Sequence, residues 1–132
     1  MELKPKVLVV DDEESLRSSI GKILEMHGFE VRLASNVPEG LAFIRAESFN
    51  VLISDLKMPG PGDGLTVIEA MRASNPKAIT LLMSAFTDPG QATVRLRADE
   101  ILRKPVAMRE VVGLIRQKLA SAGEPQPGSA AE

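Results

Sequence analysis

Short apolar runs alternate with amphipathic segments five times along this chain, and this alternation restricts its fold more than any other feature. The runs are too short for helices and rich in β-branched residues, as expected of strands that are buried on both faces. The segments between them carry apolar residues at helical spacing. Strand and helix in strict alternation require a parallel sheet with right-handed crossovers and helices on both faces.

The predicted fold is therefore α/β: a flavodoxin-like, doubly wound, five-stranded parallel sheet of order 2-1-3-4-5 with five helices. The predicted strands cover residues 7–10, 30–34, 51–55, 79–84 and 101–103. The predicted helices cover residues 15–27, 65–72, 91–97 and 110–120, with one more that begins at residues 36–39. Pro89 and Gly90 precede the fourth helix, which we expect to be short or irregular.

The length of 132 residues fits one domain, which we assign to residues 1–122. Residues 123–132 are rich in Pro, Gly and Ser, and this composition predicts a disordered tail or a linker. A net charge of −2 does not point to nucleic acid or membrane, and the absence of Cys excludes disulfides and thiolate metal sites. No apolar run approaches the length of a membrane span or of a signal peptide core, so we expect a cytoplasmic protein.

Polar side chains stand where four of the predicted strands end. Asp11 and Asp12 follow the first strand, Asp55 ends the third, Ser84 ends the fourth and Lys104 follows the fifth. The carboxyl ends of parallel strands lie at one edge of the sheet, where open α/β sheets bind ligands. We therefore expect all five side chains to meet in one pocket.

The chemistry of these groups suggests a phosphoryl site. Three carboxylates in one cleft remain ionised together most readily around a divalent cation, and oxygen ligands favour Mg²⁺, with Mn²⁺ as the alternative. Asp55 is the single carboxylate of the central strand and the best candidate nucleophile toward phosphorus, with Asp11 and Asp12 holding the metal. Ser84 offers a hydroxyl donor and Lys104 an ammonium for an anion.

Each of these residues alone has an ordinary structural explanation. A pair of Asp residues after a strand is as often a solvated turn or a helix cap as a metal site. A lone Ser after a strand usually caps or turns the chain, and a lone Lys is usually solvated. The functional interpretation rests on the joint arrangement, because four strand ends carry mutually compatible groups.

The set resembles the receiver (response-regulator) domain of bacterial two-component signalling, over about residues 5 to 120. The resemblance is carried by Asp11-Asp12-Glu13, Asp55 in the sequence DLKMPG, Gly64, Ser84-Ala85 and Lys104-Pro105. It implies that Asp55 accepts a phosphoryl group from a histidine kinase, a phosphotransfer protein or a small phosphodonor. It also implies Mg²⁺ ligation by Asp12, Asp55 and the backbone carbonyl of Lys57, with Asp11 acting through water.

The same resemblance assigns roles to residues around the acidic cluster. Ser84 would hydrogen-bond to the phosphoryl group and Lys104 would pair with it, and the Lys104–Pro105 bond would be cis. Lys57 and Phe86 lie two positions beyond Asp55 and Ser84, where family members tune the lifetime of the phosphoryl group.

One departure from the family pattern concerns the output. The switch position three residues before Lys104 usually carries Tyr or Phe, and here it is Ile101. An aliphatic side chain cannot swing a ring between buried and exposed states. The spacing from Ser84 to Lys104 is also about two residues shorter than the family pattern, and the segment MPGPGDG is one residue longer. Both changes flank the pocket.

Three functions are compatible with these residues. The favoured one is a phosphoacceptor that switches its surface for a downstream output domain or protein, with only intrinsic Mg²⁺-dependent autophosphorylation and slow autodephosphorylation as activity. The alternative is a constitutive protein-interaction module of the same fold with a degenerate switch. A metal-dependent phosphohydrolase is disfavoured because Lys57 stands where such enzymes carry a general acid. We expect no direct binding of nucleic acid or membrane. The sequence leaves open whether the chain forms a homodimer.

Overall fold

Five parallel strands form one sheet in the order β2-β1-β3-β4-β5, which confirms the predicted topology. The computed structural model describes residues 4–60, 62–85 and 98–123. The strands are β1 (Lys6–Val10), β2 (Glu30–Ala34), β3 (Val51–Asp55), β4 (Ile79–Ser84) and β5 (Glu100–Arg103). Each lies within one residue of its predicted range, because a continuous apolar run that ends at a charged or polar residue marks a buried strand closely.

Four helices cover the two faces of the sheet in the described part of the chain. They are α1 (Glu14–Met26), α2 (Val37–Ala46), α3 (Gly64–Ser74) and α4 (Met108–Gly123). The predicted helix over residues 91–97 and residues 124–132 of the predicted tail lie outside the described residues. Within the described ranges, no helix is both long and apolar enough to cross a membrane.

Alternate residues of the strands point into two separate cores, as the two-residue period of a strand requires. Leu8 and Val10 of β1 belong to the core beneath α2 and α3, whereas Val7 and Val9 belong to the core beneath α1 and α4. Every residue of β3 and β4 is buried. Within the described ranges, the central strands are thus covered on both faces, and their carboxyl ends lie at the edge where open α/β sheets bind ligands.

The strand register sets the carboxyl edge of the sheet. Asp55 of β3 pairs with Met83 of β4, and Ser84 of β4 pairs with Arg103 of β5. Lys104 follows directly and donates its backbone N–H to the Ser84 carbonyl at 3.0 Å. The backbone hydrogen bonds between the strands therefore align the polar residues of neighbouring strand ends along the carboxyl edge.

The helix that follows β3 begins one residue earlier than predicted, because its first turn is capped by side chains. Asp63 accepts hydrogen bonds from the backbone of Leu65 and Thr66, and the Thr66 hydroxyl accepts one from the Asp63 N–H. This capping box makes Gly64 the first residue of α3 rather than the last residue of the loop. In the last described part of the chain, α4 exceeds its predicted range at both ends.

At the opposite edge of the sheet, Asp99 joins the start of β4 to the start of β5. Its carboxylate accepts hydrogen bonds from the backbone N–H of Thr80 at 2.8 Å and from the Thr80 hydroxyl at 3.3 Å. The backbone N–H of Asp99 donates to the Thr80 carbonyl at 2.9 Å. Thr80 is fully buried, so loss of the Asp99 carboxylate would leave a buried donor without its partner.

The Asp99→Ala variant should therefore lose about 1–3 kcal/mol of unfolding free energy, the cost of an unsatisfied buried donor. Urea unfolding measures this loss, and Glu25→Ala on the exposed face of α1 serves as the control, with an expected change within about 0.5 kcal/mol. Equal stability of the two variants would contradict this role for Asp99.

Candidate functional site

Three carboxylates meet at the carboxyl edge of the sheet. One ligand oxygen each from Asp11, Asp12 and Asp55 lies within 4.8 Å of the other two. Asp11 is fully buried, Asp55 is 6% exposed and Asp12 is exposed. The cluster thus has a closed side on the protein and an open side toward solvent, from which a small ion or a phosphoryl group can enter.

All polar atoms of Asp11 but one form hydrogen bonds with neighbouring residues. Its backbone N–H donates to the Ala34 carbonyl at 3.1 Å, and its Oδ1 accepts the Glu13 N–H at 2.9 Å. Its backbone carbonyl accepts a hydrogen bond from Arg17 at 2.8 Å. Oδ2 is buried and has no hydrogen-bond partner within the described ranges. A buried carboxylate oxygen without a partner is costly, so this atom fits a site made for a cation or its bound water.

The donor set also fits a hard divalent cation. The cluster offers carboxylate oxygens and no sulfur or imidazole ligand, which is the chemistry that Mg²⁺ and Mn²⁺ prefer over zinc. Asp12, on the open side, leaves room for the water molecules that Mg²⁺ retains.

Lys104 supplies the positive charge of the site from the neighbouring strand end. Its Nζ lies 3.0 Å from Oδ2 of Asp55, and its side chain is 28% exposed against 9% for Asp55. Because β4 lies between β3 and β5, the ion pair reaches across one strand of the sheet. It places an ammonium beside the one carboxylate that ends a central strand.

Burial and mutual repulsion disturb the titration of this cluster. Burial raises the pKa of Asp11 and of Asp55, and the neighbouring carboxylates raise both further, whereas Lys104 acts in the opposite direction. Burial alone would lower the pKa of Lys104, but its hydrogen bond and charge interaction with Asp55, together with the charges of Asp11 and Asp12, raise it. The ammonium is therefore retained while the carboxylates are partly destabilised, the electrostatic condition that an added cation relieves.

The other predicted site residues differ in how closely the structure links them to this cluster. Ser84 is buried at the end of β4, and its hydroxyl donates to the Ala85 carbonyl at 3.2 Å. Lys57 is exposed two residues after Asp55. The Lys104–Pro105 bond is cis, as predicted. Phe86 lies outside the described residues.

Ile101 lies in β5, one strand away from the acidic cluster. It pairs in register with Leu82 and packs, partly buried, against the core beneath α2 and α3. Its contacts are those of a core residue at the edge of the sheet.

Gly64, which belongs to the residues that carry the resemblance, makes a contact with the site that the sequence does not specify. A Cβ atom here would lie 2.3 Å from the Asp55 carbonyl oxygen and 2.9 Å from the Cα of Leu56. Its N–H donates to the Leu56 carbonyl at 2.9 Å. The start of α3 thus packs directly on the backbone of Asp55, and only glycine permits this approach. The available signal was a glycine at a helix start after a loop rich in Pro and Gly.

A family model described as the response regulator receiver domain matches residues 7–116. The chain belongs to this family. The C4-dicarboxylate transport transcriptional regulatory protein DctD of Rhizobium meliloti (strain 1021) is 30% identical to this receiver chain over 119 residues, which cover 89% of the chain and 26% of DctD. The chain likewise spans 28% and 52% of two further relatives.

Solved receiver structures share the fold. A CheY-like receiver domain protein of Methanospirillum hungatei JF-1 is 28% identical with a TM-score of 0.84, and the match covers 92% of this chain and 98% of that one. A response regulator of Burkholderia pseudomallei, solved with a phosphorylated aspartic acid, a calcium ion and citrate, is 30% identical with a TM-score of 0.74. That match covers 83% of this chain and 65% of the other.

The close approach of Gly64 predicts a steric effect centred on Asp55. Gly64→Ala should destabilise the fold by about 1–3 kcal/mol, because the added methyl group must displace backbone rather than a flexible side chain. Gly113→Ala in α4 is the matched control: a Cβ there meets nothing within 4 Å, so alanine should stabilise the helix by about 0.5–1 kcal/mol. Thermal or urea unfolding distinguishes the two, and changes of the same sign would contradict the packing argument.

The raised carboxyl pKa values predict how Asp11→Asn changes stability with pH. A carboxyl group whose pKa is raised by folding favours the folded state more as pH falls from neutral through that pKa, and the gain is complete below the unfolded value. Asp11→Asn removes this dependence and one buried negative charge. The metal-free variant should therefore be more stable than wild type at neutral pH, and the difference should shrink as the pH falls.

Urea unfolding in a chelator at several pH values tests this difference, with Asp12→Asn at the exposed position as the control for loss of charge alone. A metal-free Asp11→Asn variant less stable than wild type at neutral pH would contradict the assignment of Asp11 as a destabilised buried carboxylate.

Proposed function

We propose that this domain, assigned to residues 1–122, is the phosphoacceptor of a two-component response regulator and that Asp55 carries the phosphoryl group. The observation that supports this most is the Asp55 carboxylate at the end of a central strand, paired with Lys104 at 3.0 Å and clustered with Asp11 and Asp12. A nucleophile, a cation site and an ammonium are the parts that phosphoryl transfer needs, because the reaction depends chiefly on positioning and charge neutralisation. The phosphorylated aspartic acid and calcium ion in the Burkholderia pseudomallei regulator support the same assignment.

In the proposed step, an Asp55 carboxylate oxygen forms a bond to phosphorus. The bond between phosphorus and the leaving atom of a kinase histidine, a phosphotransfer protein or a small phosphodonor breaks, and the leaving group retains the electron pair. Lys104 stays protonated and pairs with a phosphoryl oxygen. Ser84 turns its hydroxyl from the Ala85 carbonyl toward another phosphoryl oxygen.

Asp12, Asp55 and the Lys57 backbone carbonyl would hold Mg²⁺ directly, with Mn²⁺ as a substitute and Asp11 acting through water. The bound ion supplies positive charge that neutralises the phosphoryl oxygens. The unpartnered Oδ2 of Asp11 gives this water a buried acceptor. Lys57 at the exposed edge of the site and Phe86 tune access of hydrolytic water to the phosphoryl group, so that autodephosphorylation is slow.

Phosphorylation would be read by Ser84 and Lys104, whose backbones are joined by a hydrogen bond between β4 and β5. A phosphoryl group that moves both side chains therefore acts on β5, the outermost strand, which contains Ile101. The surface beyond it is proposed to contact a downstream output domain or protein, in the cytoplasm and without direct nucleic-acid binding by this domain.

A second candidate function is a constitutive interaction module that retains the fold without the switch. Ile101 favours it, because this aliphatic side chain packs against the core beneath α2 and α3 and has no ring to redirect toward a phosphorylated site. Both candidates share the acidic cluster, and they differ in whether phosphorylation changes the surface around β4 and β5.

Incubation with acetyl phosphate and Mg²⁺ should add one phosphoryl group to the wild-type chain, detected by intact mass spectrometry. Asp55→Asn should abolish this addition while leaving the circular dichroism spectrum unchanged, because the amide keeps the shape of the side chain without its nucleophilic charge. Asp63→Asn is the control, since Asp63 follows β3 at the start of α3 and serves there as a cap. Full labelling of Asp55→Asn would contradict the assignment.

Beryllofluoride, a mimic of the acyl phosphate, separates the switch from the constitutive module. With Mg²⁺ present, a working switch predicts shifts in the amide NMR signals of residues 84–85 and 100–104 as well as of Asp55. Shifts confined to the acidic cluster would favour the constitutive module.

A further inference from the structure

Arg17 lies in the first turn of α1, beside the acidic cluster but outside it. Its Nη1 donates to the backbone carbonyl of Asp11 at 2.8 Å. Its own backbone N–H donates to the Glu13 carbonyl at 2.9 Å, so the residue is fixed at both its backbone and its side-chain end. Arg17 is half-buried, which strengthens a charge-assisted hydrogen bond relative to one in open solvent.

The carbonyl that Arg17 contacts lies where the strand ladder ends. The last register pair between β1 and β2 is Val10 with Ala34, and the Asp11 N–H still donates to the Ala34 carbonyl. At the next carbonyl, that of Asp11, the guanidinium supplies the donor. A side chain of α1 thus takes over the role that the neighbouring strand performs for the rest of β1.

This carbonyl belongs to the peptide that joins Asp11 to Asp12. Its orientation sets the backbone torsions on either side, and with them the directions in which both carboxylates project. Asp11 has additional restraints at its N–H and Oδ1. Asp12 is exposed, so neighbouring side chains enclose it less than they enclose Asp11.

The charge of Arg17 also acts on Glu39. Glu39 at the start of α2 accepts the Ser35 N–H at 2.7 Å and the Ser35 hydroxyl at 2.8 Å. Its pKa is lowered first by these two hydrogen bonds and further by the charge of Arg17. Arg17 therefore adds a favourable charge interaction with the anion that orders the β2–α2 turn.

We infer that Arg17 is a positioning residue for the divalent-cation site: it fixes the Asp11–Asp12 peptide so that both carboxylates are directed toward the ion together with Asp55. The inference rests on the proposed function, because the ion it concerns is the Mg²⁺ of the phosphoryl-transfer site. Residues that orient metal ligands typically account for about 10–100-fold in metal affinity.

The test measures affinity for the metal alone, using Mg²⁺ in isothermal titration calorimetry and Mn²⁺ in electron paramagnetic resonance. Arg17→Met removes the donor while keeping length and helix propensity, and it should weaken both Kd values about tenfold. Arg17→Lys keeps a cationic donor and should recover part of the loss. Arg45→Met, at an exposed arginine in the last turn of α2, is the matched control and should bind as wild type.

The rate of phosphorylation by acetyl phosphate, measured over a range of Mg²⁺ concentrations up to saturation, provides a second readout. Positioning of the ion predicts a higher Mg²⁺ concentration for half-maximal rate with a nearly unchanged maximum. A Kd within twofold of wild type for Arg17→Met, even with a lower melting temperature, would overturn the inference and leave Arg17 a structural residue. Equal weakening by Arg45→Met would overturn it as well. Failure of the wild-type chain to accept a phosphoryl group while the Kd differences persist would instead reject the proposed function.

Discussion

The repulsion among Asp11, Asp12 and Asp55 is the constraint around which the carboxyl edge of this sheet is built. The strand ladder brings ligand oxygens of all three within 4.8 Å of one another, and burial makes their charges costly. Lys104 offsets part of this cost by pairing with Asp55 across β4. In the proposed function a divalent cation would offset the rest, so the energetic cost of the metal-free site would favour binding of an ion and then of a phosphoryl group.

Contacts from several elements position the backbone around the site. Gly64 packs the start of α3 against the Asp55 carbonyl, Arg17 holds the Asp11 carbonyl, and the Lys104 N–H is bonded to the Ser84 carbonyl. Each contact fixes a different strand end, and none uses the carboxylate oxygens that the chemistry needs. Reactive carboxylates carried on a positioned backbone are the usual condition for fast transfer between bound groups.

The sequence predicted the strands, their order and the residues at their ends, because buried parallel strands are continuous apolar runs and the winding rules leave few topologies. It predicted less well what depends on contacts between distant residues. The hydrogen bonds of Asp99 to Thr80 and the approach of Gly64 to Asp55 join residues 19 and 9 positions apart, and no local pattern encodes them. The capping box at Asp63 is a local motif, but it was not predicted because Thr66 stands where the usual motif has Glu or Gln.

The central claim, that Asp55 is the phosphoacceptor, is tested most directly by chemical trapping of the acyl phosphate. Borohydride reduces an aspartyl phosphate to homoserine, and peptide mass spectrometry then locates the modified position. After treatment with acetyl phosphate and Mg²⁺, the account predicts homoserine at position 55 and its absence when a chelator replaces Mg²⁺. Homoserine at another aspartate, or an equal yield at position 55 without the metal, would contradict it.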